Sequence, residues 1–191
     1  RGDKADNLEQ AIICYQEALK VRTFDALPQD WATIKHNLAV AYSKRIRGDK
    51  ADNLEQAIIC YQEALKVRTF DALPQDWANT QNNLAVAYSK RIRGDKADNL
   101  EQVIICYQEA LKVRTFDALP QDWAITSNNL GGCYCERIRG DKADNLEQAI
   151  IYYQEALKVR TLNALPQDWQ VRKIIWVMLT FLESEVIKLT I

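Results

Sequence analysis

The sequence predicts an all-α solenoid built by stacking helical hairpins, and three observations predict it. The segment RGDKADNLEQ begins at Arg1, Arg47, Arg93 and Arg139, a constant step of 46 residues, and a fixed period of this size marks a repeat architecture. The 6 Gly and 4 Pro mostly return at that same interval, so turns are few and evenly placed. Between the turns, apolar residues recur every three or four positions, the helical period. One such unit cannot bury its own apolar face, so neighbouring units must share a continuous core. The chain therefore reads as a single solenoid over residues 1–191, with repeats at 1–46, 47–92, 93–138 and 139–184 and a divergent C-terminal helix running to 191.

The elements follow in order, taking the second copy as the example. Asp52 is placed to cap a helix starting at Asn53 or Leu54, and Glu55, three residues on, completes a capping box. Leu54, Ala57, Ile58, Tyr61, Leu65 and Val67 then keep a helical spacing to about Arg68, which makes this the second helix of a hairpin. In the following TFDALPQDW, Pro74 suits a first helical turn because its missing N–H has no partner there anyway, and Asp76 favours the positive helix end. Trp77, Leu84, Tyr88 and Ile92 mark the buried stripe of that helix. Lys90, Arg91 and Arg93 suit its negative end, and Gly94 is placed to take the left-handed stop conformation.

Composition narrows the function. With 48% hydrophobic and 27% charged residues the chain lies in the ordinary globular range. A net charge of −1 with interspersed signs provides no basic stripe for a phosphate backbone, so nucleic acid is not an expected partner. The longest apolar run, Ile174 to Leu179, is far too short to span a bilayer, so no membrane role is expected. Of the five Cys, Cys14, Cys60 and Cys106 are one position copied, which argues against a disulfide framework and for a reducing, cytoplasmic setting. The missing initial Met suggests a piece of a longer array. His36 is the only histidine, so no Ser-His-Asp, Cys-His or multi-His arrangement can form; no catalytic residue, metal site or cofactor is expected, and the chain is not read as an enzyme. Cys133 and Cys135 stand two apart in a helix and point to different faces, one to the core and one to a groove. The four RGD tripeptides invite an adhesion reading, but a helix stop followed by a turn accounts for all three residues.

NNLAVAY (Asn82 to Tyr88), NNLGGCY (Asn128 to Tyr134) and AIICYQEAL (Ala57 to Leu65) resemble the two helices of a tetratricopeptide repeat. Leu130, Gly131 and Tyr134 match the first-helix signature, and Ala149, Tyr153 and Ala156 the second. The unit is longer than usual, with the extra residues in the RGDKADN turn and the TFDALPQ connection, and so looks more like the long repeats of kinesin light chain. Two-helix HEAT repeats share the period, but the small-residue pattern argues against them. The resemblance implies eight helices in a right-handed α-solenoid of helix-turn-helix repeats. It also implies that first helices line a concave groove, second helices form the outer wall, and the groove holds an extended peptide or a partner helix.

On that implication Thr33, His36, Val40, Ser43 and Lys44 share one groove-facing helical face. Copies one and two differ only at Thr33/Asn79, Ile34/Thr80, Lys35/Gln81 and His36/Asn82; copies two and three differ at eight positions, seven of them between Ile125 and Glu136. Change is thus confined almost wholly to the first helix, as expected of a recognition surface on a fixed scaffold. Asn37, Asn83 and Asn129 stand before the core Leu of each unit, where propensity does not favour Asn. An amide there can pair with the N–H and C=O of an extended peptide; the alternative is that each Asn bonds to a neighbouring helix. The expected peptide-binding set is Asn37, Asn83 and Asn129 with Thr33, His36, Val40, Lys44, Asn79, Asn82, Val86, Lys90, Asn128 and Glu136. The ladder should stop at Ile175. From Gln170 the chain turns apolar around Trp176, Leu179 and Phe181, either as a terminal cap or as a strip for head-to-tail self-association through the terminal helices. The second functional reading is a structural spacer or oligomerisation module of a larger multidomain signalling protein.

Overall fold

The computed structural model describes residues 3–159, 177, 180–182, 184, 185, 187 and 188. Within residues 3–159 seven helices follow one another: α1 (Lys4–Val21), α2 (Pro28–Lys44), α3 (Lys50–Ala64), α4 (Pro74–Ser89), α5 (Lys96–Leu111), α6 (Pro120–Glu136) and α7 (Lys142–Val159). No strand occurs among the described residues. The chain divides into two compact units, residues 1–106 and 107–191, with the boundary inside α5. In the first unit α2 packs most extensively on α3, α1 lies on α2, α3 on α4, and α2 also touches α4. In the second, α6 packs on α7.

The helix starts explain themselves locally. Pro28, Pro74 and Pro120 each stand at the first helical position, where the absent N–H removes no hydrogen bond. The connection ahead of them is folded on itself. Thr69 Oγ1 accepts from the Ala72 N–H at 3.2 Å, and Phe70 packs edge-on against Trp77 with ring centroids 5.3 Å apart; Phe24–Trp31 and Phe116–Trp123 repeat the contact. The residues that lengthen the unit are therefore ordered by their own aromatic pair.

The other turn departs from expectation. Helix α3 begins at Lys50, capped by Asp49 rather than Asp52, and the Asp49 carboxylate accepts from the Asp52 N–H at 2.9 Å. An Asp two residues after a helix start is poorly placed to cap it, whereas Asp49 leaves the turn with extended φ and ψ. Helix α3 also ends at Ala64, before Arg68, and α4 ends at Ser89, so Ile92 lies beyond the helix and is 60% exposed rather than part of the buried stripe. Gly48, Gly94 and Gly140 do have positive φ, 79–82°, but they close the turn rather than the helix. The RGD of the second copy is consumed structurally: Arg47 pairs with Asp6 at 2.6 Å, its carbonyl accepts from Asn53 Nδ2 at 2.8 Å, Gly48 turns, and Asp49 caps.

A repeated clasp ties successive helices. Arg45 donates Nε and Nη2 to Glu9 on α1 at 2.8 and 2.7 Å, and Nη1 to Asn53 on α3 at 3.3 Å. Arg91 does the same with Glu55 and Asn99. The cores are small and aromatic: Ala57, Ala64, Ala39 and Ala85 are fully buried, and Tyr61 and Tyr88 lie beside them in the core. The hydroxyls of Tyr42, Tyr88 and Tyr134 accept from Gln16, Gln62 and Gln108 at 3.0–3.1 Å. Cys60 and Cys106 are buried, but Cys14, the same position in the first copy, is exposed. Ile175, Trp176 and Leu179, on which the ladder's end and the apolar strip were read, lie outside the described residues; Phe181 is 61% exposed and Leu182 buried.

Candidate functional site

Helices α2 and α4 contact each other while α3 packs on both. Their core sides carry Ile34, Leu38, Ala39 and Ala41, and Trp77, Thr80, Leu84, Ala85 and Tyr88. The remaining side of each helix is left to face outward. On α2 it presents Thr33 and Lys44, exposed, with His36, Asn37, Val40 and Ser43 half-buried. On α4 it presents Asn79 and Lys90, exposed, with Asn82, Asn83 and Val86 half-buried. In the second unit Asn128 and Asn129 on α6 are half-buried and Glu136 exposed.

Six of these residues meet at one place. A depression of about 150 Å³ is lined by Val40, Ser43 and Lys44 of α2, by Asn83, Val86 and Lys90 from α4 and its end, and by Tyr61 of α3. Its floor is apolar and aromatic, and its ends carry two cations and an amide. That is the make-up of a site for a side chain with a polar neighbour.

Toward the N-terminal ends of α2 and α4 the character changes. Arg68 is buried, donating Nη1 to Thr80 Oγ1 and Nη2 to Thr33 Oγ1, each at 3.2 Å, with Asp76 3.9 Å away. Burial lowers its pKa and Asp76 partly offsets that. His36 stands next to this group, with Nδ1 3.0 Å from Thr80 Oγ1, Nε2 3.5 Å from Asn83 Nδ2, and its ring edge-on to Tyr61. Burial, and then the Arg68 charge, push the imidazole pKa down to about 4, so His36 is neutral at ordinary pH. Among the described residues Asn37 makes no side-chain hydrogen bond, whereas Asn83 touches both His36 and, through Oδ1 at 3.4 Å, Asn82 Nδ2.

Arg68, Thr80 and Tyr61 reach this face only through the fold, and none of them was expected among the binding residues. Thr80 carried a signal, since it is one of the four positions that distinguish the first two copies. Arg68 carried a weaker one, an arginine kept in every copy at the place where the helical spacing of the second helix ends. Its counterpart Arg22 is exposed and pairs with Asp30 at 3.5 Å.

Thiol chemistry has no support at this face. Burial pushes the Cys60 thiol up to about 11 and the Cys133 thiol up to about 12, which keeps both protonated and weakly nucleophilic. Cys133 and Cys135 are both half-buried, rather than one in the core and one in a groove. Among the described residues no three His, Cys, Asp or Glu side chains gather as metal ligands, and no helix is long and apolar enough to cross a membrane.

Residues 31–71 and 77–117 each match the family model of the tetratricopeptide repeat. Residues 31–117 hold two tetratricopeptide repeats. The first matched segment covers α2 and α3, the second α4 and α5, so each is one helix-turn-helix unit, and the two start 46 residues apart. No curated protein sequence matches the chain. Tetratricopeptide repeats are protein-interaction scaffolds, an all-helical framework that presents side chains to a partner.

Proposed function

We propose that the tetratricopeptide face formed by α2 and α4 binds a protein partner by holding an extended peptide or a helix against Asn37, Asn83 and the depression between Val40 and Val86. The observation that carries this reading is the Asn37 amide, half-buried on that face with no side-chain hydrogen-bond partner among the described residues. A polar group partly withdrawn from water is stabilised when a partner fills its hydrogen bonds. The depression beside Asn83 supports the same reading, being of side-chain size and flanked by the exposed cations of Lys44 and Lys90. Thr33, His36, Asn79 and Asn82 flank the two ladder residues on α2 and α4, and Asn128, Asn129 and Glu136 are the corresponding set on α6.

The test is a peptide selected from a random displayed library on the purified chain, followed by calorimetry. Asn37→Ala should weaken binding by about 1–3 kcal/mol, the usual consequence of stranding a hydrogen-bonding partner, with an unchanged melting temperature. Unchanged affinity together with a clearly lower melting temperature would make the ladder a structural feature and remove this function.

A second reading rests on the C-terminal residues. A cavity of about 560 Å³ is lined mainly by Leu146, Val177, Phe181 and Leu182 with Cys135, and Val177 and Phe181 are more than half exposed. Such a surface suits self-association, the oligomerising or spacer role. Light scattering against concentration separates the two, because a self-associating module grows in size with concentration and binds no selected peptide.

A further inference from the structure

Thr80 has one hydroxyl proton, and it is spent: Oγ1 donates to the Asp76 carbonyl at 2.7 Å. Its lone pairs therefore accept, one from Arg68 Nη1 at 3.2 Å and the other from the ring nitrogen at 3.0 Å. A neutral imidazole has a single N–H, so that proton must sit on His36 Nδ1, and Nε2 must be the bare, accepting nitrogen. The bare nitrogen faces Asn83 Nδ2 at 3.5 Å, a long contact whose sign is nevertheless fixed: an amide NH₂ is attracted there and an amide oxygen repelled. From the other side Asn82 Nδ2 lies 3.4 Å from Asn83 Oδ1, which favours the same orientation.

We infer that His36 is a positioning residue for the peptide face: through the Asp76–Thr80–His36 chain it fixes which end of the Asn83 amide points toward α2 and which end is offered to a bound peptide. Asn37 has no such neighbour, so the two ladder residues differ. Asn37 adapts to its partner by turning over, whereas Asn83 demands a fixed donor and acceptor polarity. His36 and Thr80 also account for two of the four differences between the first two copies, and here the two changed residues are bonded to each other. The groups facing the imidazole from the elements around it are Tyr61 on α3, Arg68 just beyond α3, and Thr80 and Asp76 on α4. None of them supplies a carboxylate in contact that would draw a second proton onto the ring. This inference rests on the proposed peptide face for its consequence, though not for its chemistry.

Because the chain has one histidine, long-range nitrogen–proton NMR spectra of the imidazole report on His36 alone. At neutral pH the expected spectrum shows Nδ1 protonated and Nε2 bare; the opposite assignment overturns the inference. Thr80→Val keeps the side-chain shape and removes the acceptor, so it should move the proton to Nε2 and displace the Asn83 side-chain amide resonances while those of Asn37 stay put. His36→Phe keeps an aromatic edge against Tyr61 without either nitrogen and should displace the same Asn83 resonances, giving a second route if the valine variant folds poorly. Unmoved Asn83 resonances in the folded variant overturn the inference. The functional arm uses the library-selected peptide as probe. Thr80→Val should weaken it about fivefold, as for one hydrogen bond, and should have no further effect in an Asn83→Ala background. Equal losses in both backgrounds would reduce Thr80 and His36 to a structural role. If no displayed peptide binds, the proposed peptide face fails, and the imidazole spectra still decide the assignment of His36.

Discussion

Arg91, just past the end of α4, reaches back to Glu55 on α3 with Nε and Nη2 both 2.8 Å from the carboxylate, while its Nη1 holds Asn99 at 3.2 Å. The pair is a planar fork on a carboxylate, the arrangement in which guanidinium bonds are strongest, and both side chains are mostly shielded, 28% and 20% exposed. Arg45 and Glu9 repeat it one unit earlier. Breaking the second copy by Glu55→Gln is expected to lower stability by about 1 kcal/mol, at the upper end for a pair that water still reaches. The loss should also depend on pH. The Arg91 hydrogen bonds hold the Glu55 carboxyl below its ordinary value of 4.5. Its contribution is therefore complete above that value and is lost as pH falls through the depressed folded one. Urea unfolding of both proteins from neutral to acid pH checks this: a difference that persisted unchanged at the lowest pH would remove the ion pair as its cause.

His36 should impose a separate window, higher in pH. Its folded pKa of about 4 lies below the ordinary 6.5, chiefly through burial. Between those values the unfolded chain binds a proton that the folded chain refuses, so stability is greatest above pH 6.5 and declines down to about 4. The decline is on the order of 2–3 kcal/mol if burial is the main cause. In His36→Asn the slope in this interval should be smaller, since the remaining acid-linked groups are carboxylates. Identical slopes in melting temperature would mean that the ring is hydrated.

The repeat, the helices and the outward face of α2 and α4 were legible in the sequence because each depends on short-range periodicity. A 46-residue copy needs no partner to be seen, and a stripe such as Trp77, Leu84 and Tyr88 follows from helical spacing alone. Turn residues were less legible. Asp49 and Asp52 both precede plausible helix starts, and the choice of Asp49 is made by Gly48 with its φ of 79° and by Asn53, which reaches back to the Arg47 carbonyl. The burial of Arg68 was not legible, since it depends on Thr33 and Thr80, residues 35 and 12 positions away. The polarity of Asn83 needed four residues from two helices in one place, information that exists only after folding.

Tyr88 tests the core itself. It is 7% exposed and its hydroxyl accepts from Gln62 at 3.0 Å. Tyr88→Ala should cost about 3–5 kcal/mol through the cavity it leaves. Tyr88→Phe should cost about 0.5–1 kcal/mol, because Gln62 is exposed and water replaces the lost partner. Denaturant unfolding of both variants measures the pair. A loss below about 1 kcal/mol for the alanine variant would place Tyr88 outside the core.

The two adjacent glycines of α6 should respond to the same substitution with opposite signs. Neither has positive φ, so Gly→Ala at both sites gains the helix preference of about 1 kcal/mol, and packing must decide the outcome. At Gly131 an added Cβ would meet two ring carbons of Tyr153 at 3.1 Å and the Ala149 carbonyl oxygen at 3.2 Å. Tyr153 is only 3% exposed, and the Ala149 carbonyl belongs to helix α7, so neither can withdraw freely. The first two copies carry Ala39 and Ala85 at this place. The helix that α6 packs on, α7 of the fourth copy, has Tyr152 where Cys60 and Cys106 stand in the second and third, and that ring stacks on Tyr134 with centroids 5.6 Å apart. At Gly132 the only neighbour among the described residues is the Tyr153 hydroxyl at 3.6 Å, an ordinary contact. Overpacking of about 1–3 kcal/mol against the helix gain makes Gly131→Ala destabilising by roughly 1 kcal/mol. Gly132→Ala should be stabilising by about 0.5–1 kcal/mol. Thermal melts of the two variants settle the matter, and shifts of the same sign would show that helix propensity, rather than the approach of α6 to α7, governs this part of the repeat.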